Sequence, residues 1–286
     1  MARWVERAAI AAAVLALLAG GVLLFAFREA RADPVVRRAT VALPGWPAGV
    51  PPMTIALASD IHLGSAAMDE RRLSRIGDQV TALRPDLIAL AGDFVAGHEP
   101  GSARRIATAL ATGSRHFRAP LGTVAVLGNH DHWTGAAVVR RALQAGGVIV
   151  LANASVRRGA VSLVGVDDVY SGHADPRRSL GANHHVPEIV LTHSPDLVHS
   201  LPTGRAPLLL AGHTHCGQVV LPWLGPVTDQ NPRTSRRLYD PRYRCGVVVD
   251  PVRTVIVTAG LGASLALRFG APPDIWLVRV GPVAPR

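Results

Sequence analysis

Lysine is absent from the 286 residues: all 30 basic side chains are arginine, set against 20 acidic ones for a formal charge of +10. An all-arginine set suits planar, bidentate binding of phosphate, although an arginine-favouring codon bias gives the same composition. The charge itself favours an anionic substrate or an acidic membrane surface. Only two cysteines occur, Cys216 and Cys245, which excludes a disulfide framework and a CxxC zinc knuckle. Any metal must then be held by other residues. Internal repeats and low-complexity tracts are missing too. With 49% hydrophobic residues the chain can bury a sizeable core, which argues against disorder.

What is there begins with Ala8 to Phe27, an unbroken run of apolar or glycine residues. As a helix it would span roughly 30 Å, the thickness of a bilayer's hydrocarbon core. The simplest reading is a single-pass anchor over residues 8–27 in a bacterial plasma membrane, after a short flank at 1–7. A cleavable signal is the rival, since Ala30-Arg31-Ala32 resembles a cleavage site, but the apolar run is longer than a signal core. Flanking arginines lean towards a cytoplasmic domain, although large domains cross regardless, and orientation stays open. Residues 28–53, with Pro34, Pro44, Pro47, Pro51 and Pro52, read as a semi-rigid linker. The remainder, 54–286, reads as one domain, and a chain starting near Pro51 is expected to be soluble and to keep activity on small diesters.

Within that domain, short apolar runs alternate with helical periodicity. Strands are predicted at Thr54–Ser59, Asp86–Ala91, Gly122–Leu127, Val148–Leu151, Val161–Val166, Glu188–Thr192, Pro207–Ala211, Val247–Val249 and Thr254–Thr258. Helices are predicted around Leu73 to Leu83, over Ser102–Thr112 and over Ala136–Ala145. Such alternation implies an α/β layered fold.

Five of the strand runs end in a polar group that no core would want: Ser59-Asp60-Ile61-His62, Gly92-Asp93, Gly128-Asn129-His130-Asp131, Thr192-His193 and Gly212-His213-Thr214-His215. Ligands collect beyond the carboxyl ends of strands in open α/β sheets, so the five ends converge on one site. Carboxylate, imidazole and amide together suit Mn, Fe, Zn or Co. A carboxylate such as Asp93 can bridge two ions, and a pair roughly 3.5–4 Å apart can share a hydroxide that attacks phosphorus. Taken singly, each residue is as well explained as a cap, a turn or a core histidine. Taken together those explanations fail, because five independent strand ends would each carry a costly polar group at one edge.

The ordered set Asp-x-His, Gly-Asp, Gly-Asn-His-Asp, His and Gly-His-x-His resembles the calcineurin-like metallophosphoesterase superfamily over about residues 54–215. The tail from Gly212 to Val219, Gly260-Leu261-Gly262 and Arg268 to Pro273 are similar to its membrane-anchored bacterial branch, which stands beside UDP-2,3-diacylglucosamine hydrolases. The resemblance implies a β-sandwich flanked by helices, with two divalent metal ions. It implies one ion on Asp60, His62, Asp93 and His215, and a second on Asp93, Asn129, His193 and His213. His130 would contact the phosphate and protonate the leaving oxygen instead of binding metal. Protein phosphatases of the superfamily read Gly-Asp-x-x-Asp-Arg-Gly, whereas Ala96 and Gly97 stand here, which disfavours that role. His130 then needs another orienting group, with Asp131 or Asp167-Asp168 the candidates.

The segment from Val219 to Cys245 mixes Leu221, Trp223, Leu224, Tyr239 and Tyr243 with Arg233, Arg236, Arg237, Arg242 and Arg244. That mixture suits phosphates, lipid headgroups or nucleobases, or is an ordinary solvated loop. His173, His184 and His185 read as bystanders, and Cys216 as a small packing residue. The sequence therefore points to a hydrolase cleaving phosphodiesters or pyrophosphates, acting at the membrane on a phosphate-bearing small molecule or lipid. The alternatives are a nuclease or nucleotide phosphodiesterase, and a non-catalytic metal-binding membrane protein. Nucleic acid is disfavoured by the anchor.

Overall fold

All nine predicted runs form strands in the computed structural model, which describes residues 2–181, 186–230 and 237–283. In chain order the strands are β1 (Val35–Ala42), β2 (Met53–Ala58), β3 (Leu87–Ala91), β4 (Thr123–Val126), β5 (Ile149–Val150), β6 (Ala154–Arg158) and β7 (Val161–Gly165). They continue with β8 (Glu188–Leu191), β9 (Leu208–Ala211), β10 (Val220–Leu221), β11 (Gly225–Pro226), β12 (Gly246–Val249), β13 (Thr254–Val257) and β14 (Asp274–Gly281). The α-helices are α1 (Ala2–Ala30), α2 (Glu70–Ala82), α3 (Ala107–Ser114), α4 (Asn129–Ala145) and the single turn α5 (Pro176–Ser179).

One sheet runs β1-β14-β2-β3-β4-β5 and the other β12-β13-β9-β8-β7-β6. β2 to β5 are parallel in the first, as are β7, β8, β9 and β13 in the second. Strand alternation divides the apolar residues between two faces. Leu87, Ala89 and Ala91 of β3 meet Ile189, Leu191, Leu208 and Leu210 of the second sheet, closing a sandwich core. Ile88 and Leu90 point the other way, onto Leu73, Ile76 and Val80 of α2, Leu110 of α3 and Leu143 of α4. The expected helix-flanked β-sandwich is what forms. Strands buried on both faces are near-continuous apolar runs, which is why they were legible.

α4 starts at Asn129, seven residues earlier than periodicity suggested, and Gly135 (φ 136°) kinks it. The strands that escaped, β1, β6, β10, β11 and β14, lack that signature for the most part. β1 and β6 are sheet edges with arginines and half-exposed faces, and β10 and β11 have two residues each.

β1 overturns the expectation of a linker at 28–53. Val35 to Ala42 pair in parallel with Asp274 to Gly281 of β14, Arg37 meets the buried Asp274 at 2.8 Å, and Leu43 is buried. The prolines punctuate turns around this strand and do not form a spacer. A chain beginning at Asp33 is therefore expected to be soluble and monodisperse, whereas one beginning at Pro51 should aggregate, because it bares the hydrogen-bonding edge of β14. Size-exclusion chromatography of the two checks this, and equal behaviour would show β1 to be dispensable.

α1 is the one helix among the described residues long and apolar enough to cross a membrane, its most apolar 18-residue stretch having a mean hydropathy of 2.6. Most of it is exposed, but its end is docked on the domain. Ala26 and Ala30 are buried, the Ala26 carbonyl accepts the Arg268 N–H at 3.0 Å, and Arg72 donates to the Ala32 carbonyl at 2.7 Å.

Candidate metal centre

The carboxyl ends of β2, β3, β4, β8 and β9 open onto one edge of the sandwich, and each is followed by residues the sequence singled out. Backbone bonds stitch these ends together: Asp60 N–H donates to Gly92, His62 N–H to Asp93, and Gly212 N–H to His193. Asp60, His62, Asp93, His213 and His215 all adopt left-handed φ, between +49° and +69°. Such conformations cost roughly 1–3 kcal/mol each for residues other than glycine, and they cluster where side chains must be aimed at a ligand. Gly128 serves the same edge by absence, since a Cβ there would lie 2.6 Å from the Asp93 nitrogen.

Two groups of ligand atoms result. In one, His62 Nε2 lies 3.3 Å from His215 Nε2, while Asp60 Oδ1 is 3.4 Å from His215 Nε2 and 3.9 Å from His62 Nε2. In the other, His193 Nε2 lies 3.2 Å from Asp93 Oδ2, 3.1 Å from Asn129 Oδ1 and 3.2 Å from His213 Nδ1. Asp93 Oδ2 is also 3.7 Å from His62 Nε2, so this carboxylate stands between the groups.

The remaining ring nitrogens fix which atom faces inward. His193 Nδ1–H donates to the Ala91 carbonyl at 2.7 Å and His213 Nε2–H faces the Leu238 carbonyl at 3.4 Å, which leaves the other nitrogen of each ring as a lone pair. His62 Nδ1 is 3.1 Å from Ser264 Oγ. Asp60 Oδ1 is buried with no hydrogen-bond partner. An orphaned carboxylate oxygen beside two facing imidazole nitrogens is a donor set for a cation, and the oxygen and nitrogen chemistry fits a divalent transition metal.

Titration follows the same crowding. Burial raises the Asp60 carboxyl to about 6, with Asp93 adding to the effect. Burial lowers His62 to about 3 and His213 to about 4. Burial alone would raise Asp93, yet His193, His130 and His62 overcome it and hold that carboxyl well below the usual range. His193 is pushed the opposite way by the same partner: burial would lower it, but Asp93 and Asp60 raise it well above an ordinary histidine. A proton on His193 Nε2 and a metal ion compete for one lone pair.

His130 stands at the mouth, 4.8 Å from the His62 ring. Its orienting group is neither Asp131 nor Asp167-Asp168. His130 Nδ1–H donates to the Gly97 carbonyl at 2.7 Å, and Gly97 holds φ +102°, a conformation that favours glycine. Asp131 instead accepts the backbone N–H groups of Gly128, Phe94 and Val95. Asp167 pairs with His132 at 2.8 Å, and the Asp168 carboxylate accepts from Ser171. A backbone carbonyl leaves no trace in side-chain motifs, so this contact was invisible to sequence reasoning. So were the cleft walls: about 340 Å³ lined by Asp93, His130, His213 and His215 together with His98, Trp133, Tyr170 and Leu265.

Arg268 belongs to the tail whose sequence resembles the membrane-anchored branch. It is fully buried, donates to the carbonyls of Ala259, Gly260, Gly262 and Ala271, and lies 3.3 Å from His215 Nδ1. It thereby clamps the loop after β13 around Asp60. Cys216 is not a lone packing residue, for it forms a disulfide with Cys245 across 29 residues. Closing a loop of that size contributes about 3–4 kcal/mol on the chain-entropy view. Tyr239 and Tyr243 are buried core residues, which removes them from any binding surface, while Trp223 is fully exposed. Arg233, Arg236, His184 and His185 lie outside the described residues. His173 stacks on His132 with 3.8 Å between ring centroids, away from the ligand groups.

The profile of the calcineurin-like phosphoesterase family matches residues 53–217. The chain is similar to the UDP-2,3-diacylglucosamine pyrophosphatase LpxG of Chlamydia muridarum, 26% identical over 285 residues that cover 79% of this chain and 83% of that one. It is 30% identical over 237 residues to the metallophosphoesterase YkuE of Bacillus subtilis, covering 80% and 79% respectively. It is 29% identical over 254 residues to the phosphodiesterase YaeI of Escherichia coli, covering 80% and 82%.

Proposed function

The chain belongs to the calcineurin-like phosphoesterase family and is a metal-dependent phosphoesterase; from that premise we propose that it uses two divalent ions to hydrolyse an amphiphilic phosphodiester or pyrophosphate at a membrane surface. The observation that carries the proposal is Asp93, whose carboxylate stands between two groups of inward-facing ligand atoms. We assign one ion to Asp60, His62, Asp93 and His215, and the other to Asp93, Asn129, His193 and His213. Ions so held supply charge neutralisation at the phosphoryl oxygens and a water of lowered pKa.

The chain's own residues do the rest. The Ala91 and Leu238 carbonyls hold the His193 and His213 rings in the required tautomer. His130 Nε2 faces the cleft, because Nδ1 is engaged by Gly97, and it is set to give a proton to the leaving oxygen. Arg268 keeps Asp60 in position through the loop it clamps.

Two features support a membrane substrate. α1 has the length and hydropathy of an anchor, and tethering raises the effective concentration of a lipid-borne ester without any new contact. The relative in Chlamydia muridarum is named for a UDP-linked diacyl sugar, one member of this class. The test compares kcat/KM for a UDP-linked acyl sugar, a short single-stranded DNA and a phosphopeptide at two salt concentrations. We expect the acyl sugar to win at both. DNA winning at physiological salt, with the steep salt dependence of phosphate contacts, would make the chain a nuclease instead.

A further inference from the structure

The end of α1 and the root of one hairpin are held together by a single loop. Phe25, inside the apolar run, packs edge-on against Phe269 with 5.5 Å between ring centroids. One residue on, the Ala26 carbonyl accepts the Arg268 N–H, and Glu29 accepts the Gly270 N–H at 3.1 Å. Phe25 lies only about 3 Å along the helix axis from Phe27, the last apolar residue of the run. The loop from Ala266 to Gly270 is therefore fixed at the depth where a span would leave the hydrocarbon.

That loop is also the root of the β10–β11 hairpin. Val220 N–H donates to Phe269 at 2.7 Å, and Phe269 N–H donates to Gln218 at 3.0 Å. The Gln218 side chain reaches the Leu265 and Leu267 carbonyls, both at 3.1 Å. β10 and β11 are two residues each, so the tip, Pro222-Trp223-Leu224, stands no more than about 10 Å beyond Val220. Trp223 is 100% exposed and Leu224 78%, and the neighbouring Val227 and Leu265 are exposed as well. Trp223 holds φ +64° in a γ-turn closed by Leu224 N–H to the Pro222 carbonyl at 2.8 Å. A bulky side chain in that conformation is unfavourable, and no packing within the domain offsets it. A lone exposed hydrophobe needs no explanation, but a strained, fully exposed tryptophan on a hairpin rooted beside an apolar helix, with further exposed apolar residues at that root, does.

We propose that this hairpin is a second membrane contact: Trp223 and Leu224 enter the headgroup boundary of the leaflet in which α1 ends. The inference rests on the reading of α1 as a span. Tryptophan is the residue that settles at this boundary, with its ring in the apolar zone and its indole N–H hydrated. Leu265 belongs both to the apolar patch and to the wall of the metal cleft, so the contact holds the cleft mouth against the lipid surface. An ester is then taken from the leaflet edge at headgroup height, without leaving the membrane.

The experiment uses the full chain in vesicles of phosphatidylcholine with a minority of phosphatidylglycerol, carrying either ordinary or brominated acyl chains. Subtracting the emission of Trp223→Phe from that of the wild type isolates Trp223 from the other four tryptophans. The difference spectrum is expected to be blue-shifted and strongly quenched by the brominated chains. A second variant, Trp223→Ser with Leu224→Ser, should raise KM for a vesicle-borne ester several-fold with kcat and the unfolding midpoint unchanged. A difference emission typical of water and insensitive to bromine overturns the proposal. So does cross-linking of hairpin to hairpin between copies, which would make the patch a dimer contact. Quenching needs no turnover, so it stands or falls separately from the choice of substrate.

Discussion

Asp93→Ala is expected to empty both halves of the metal centre at once and to reduce hydrolysis of bis-p-nitrophenyl phosphate by at least roughly 10³-fold. In the assignment proposed above one carboxylate oxygen serves both groups, 3.2 Å from His193 Nε2 and 3.7 Å from His62 Nε2. Metal ions so held would contribute several kcal/mol to charge stabilisation, and each ~1.4 kcal/mol is a factor of ten in rate. Asn129→Ala supplies the contrast, since Asn129 Oδ1 faces His193 and not the Asp60 group. Elemental analysis should find close to two ions in the wild type, fewer in Asn129→Ala and almost none in Asp93→Ala. The unfolding midpoint of Asp93→Ala should no longer respond to a chelator, whereas that of the wild type should fall, because a metal that binds the native state stabilises it. Full occupancy in Asp93→Ala, or activity in a protein free of metal, would refute the shared-carboxylate reading.

The division between what the sequence disclosed and what it hid has a physical basis. Parallel strands buried on both faces must be apolar along their whole length, so β2, β3, β4, β8 and β9 announced themselves, and the polar residue ending each one stood out. The candidate ligands were legible for that reason. β1 carries Arg37 and Arg38 on an edge strand flanked by prolines and looks like a spacer until β14 is placed beside it. Contacts made by backbone groups were out of reach too. Gly97 offers His130 a carbonyl, and the chemistry of a carbonyl is the same in every residue. The disulfide between Cys216 and Cys245 depends on two loops meeting, which spacing alone does not fix. The burial of Arg268 was hidden for the same reason, since its partners are backbone carbonyls of Ala259, Gly260, Gly262 and Ala271.

His130→Ala should keep both metal ions and still slow hydrolysis by roughly 10²–10⁴-fold, the usual contribution of a positioned proton donor. His130 forms no part of the two ligand groups as assigned, and its Nδ1 is committed to Gly97, so only Nε2 is free to act in the cleft. The loss should depend on the leaving group. p-Nitrophenolate departs with little help, so its esters should suffer least, whereas an alkyl phosphodiester, whose alkoxide needs the proton, should suffer most. A merely structural role would lower both rates alike. Gly97→Ala tests the orienting carbonyl, since alanine resists φ +102° and the peptide must turn. That variant should show the same leaving-group dependence in weaker form, again with its metals in place. Loss of metal from His130→Ala would instead make His130 a ligand, consistent with its place beside His62 and Asp93 in a third cluster of potential metal-holding groups, and would leave the proton donor to be sought elsewhere in the cleft.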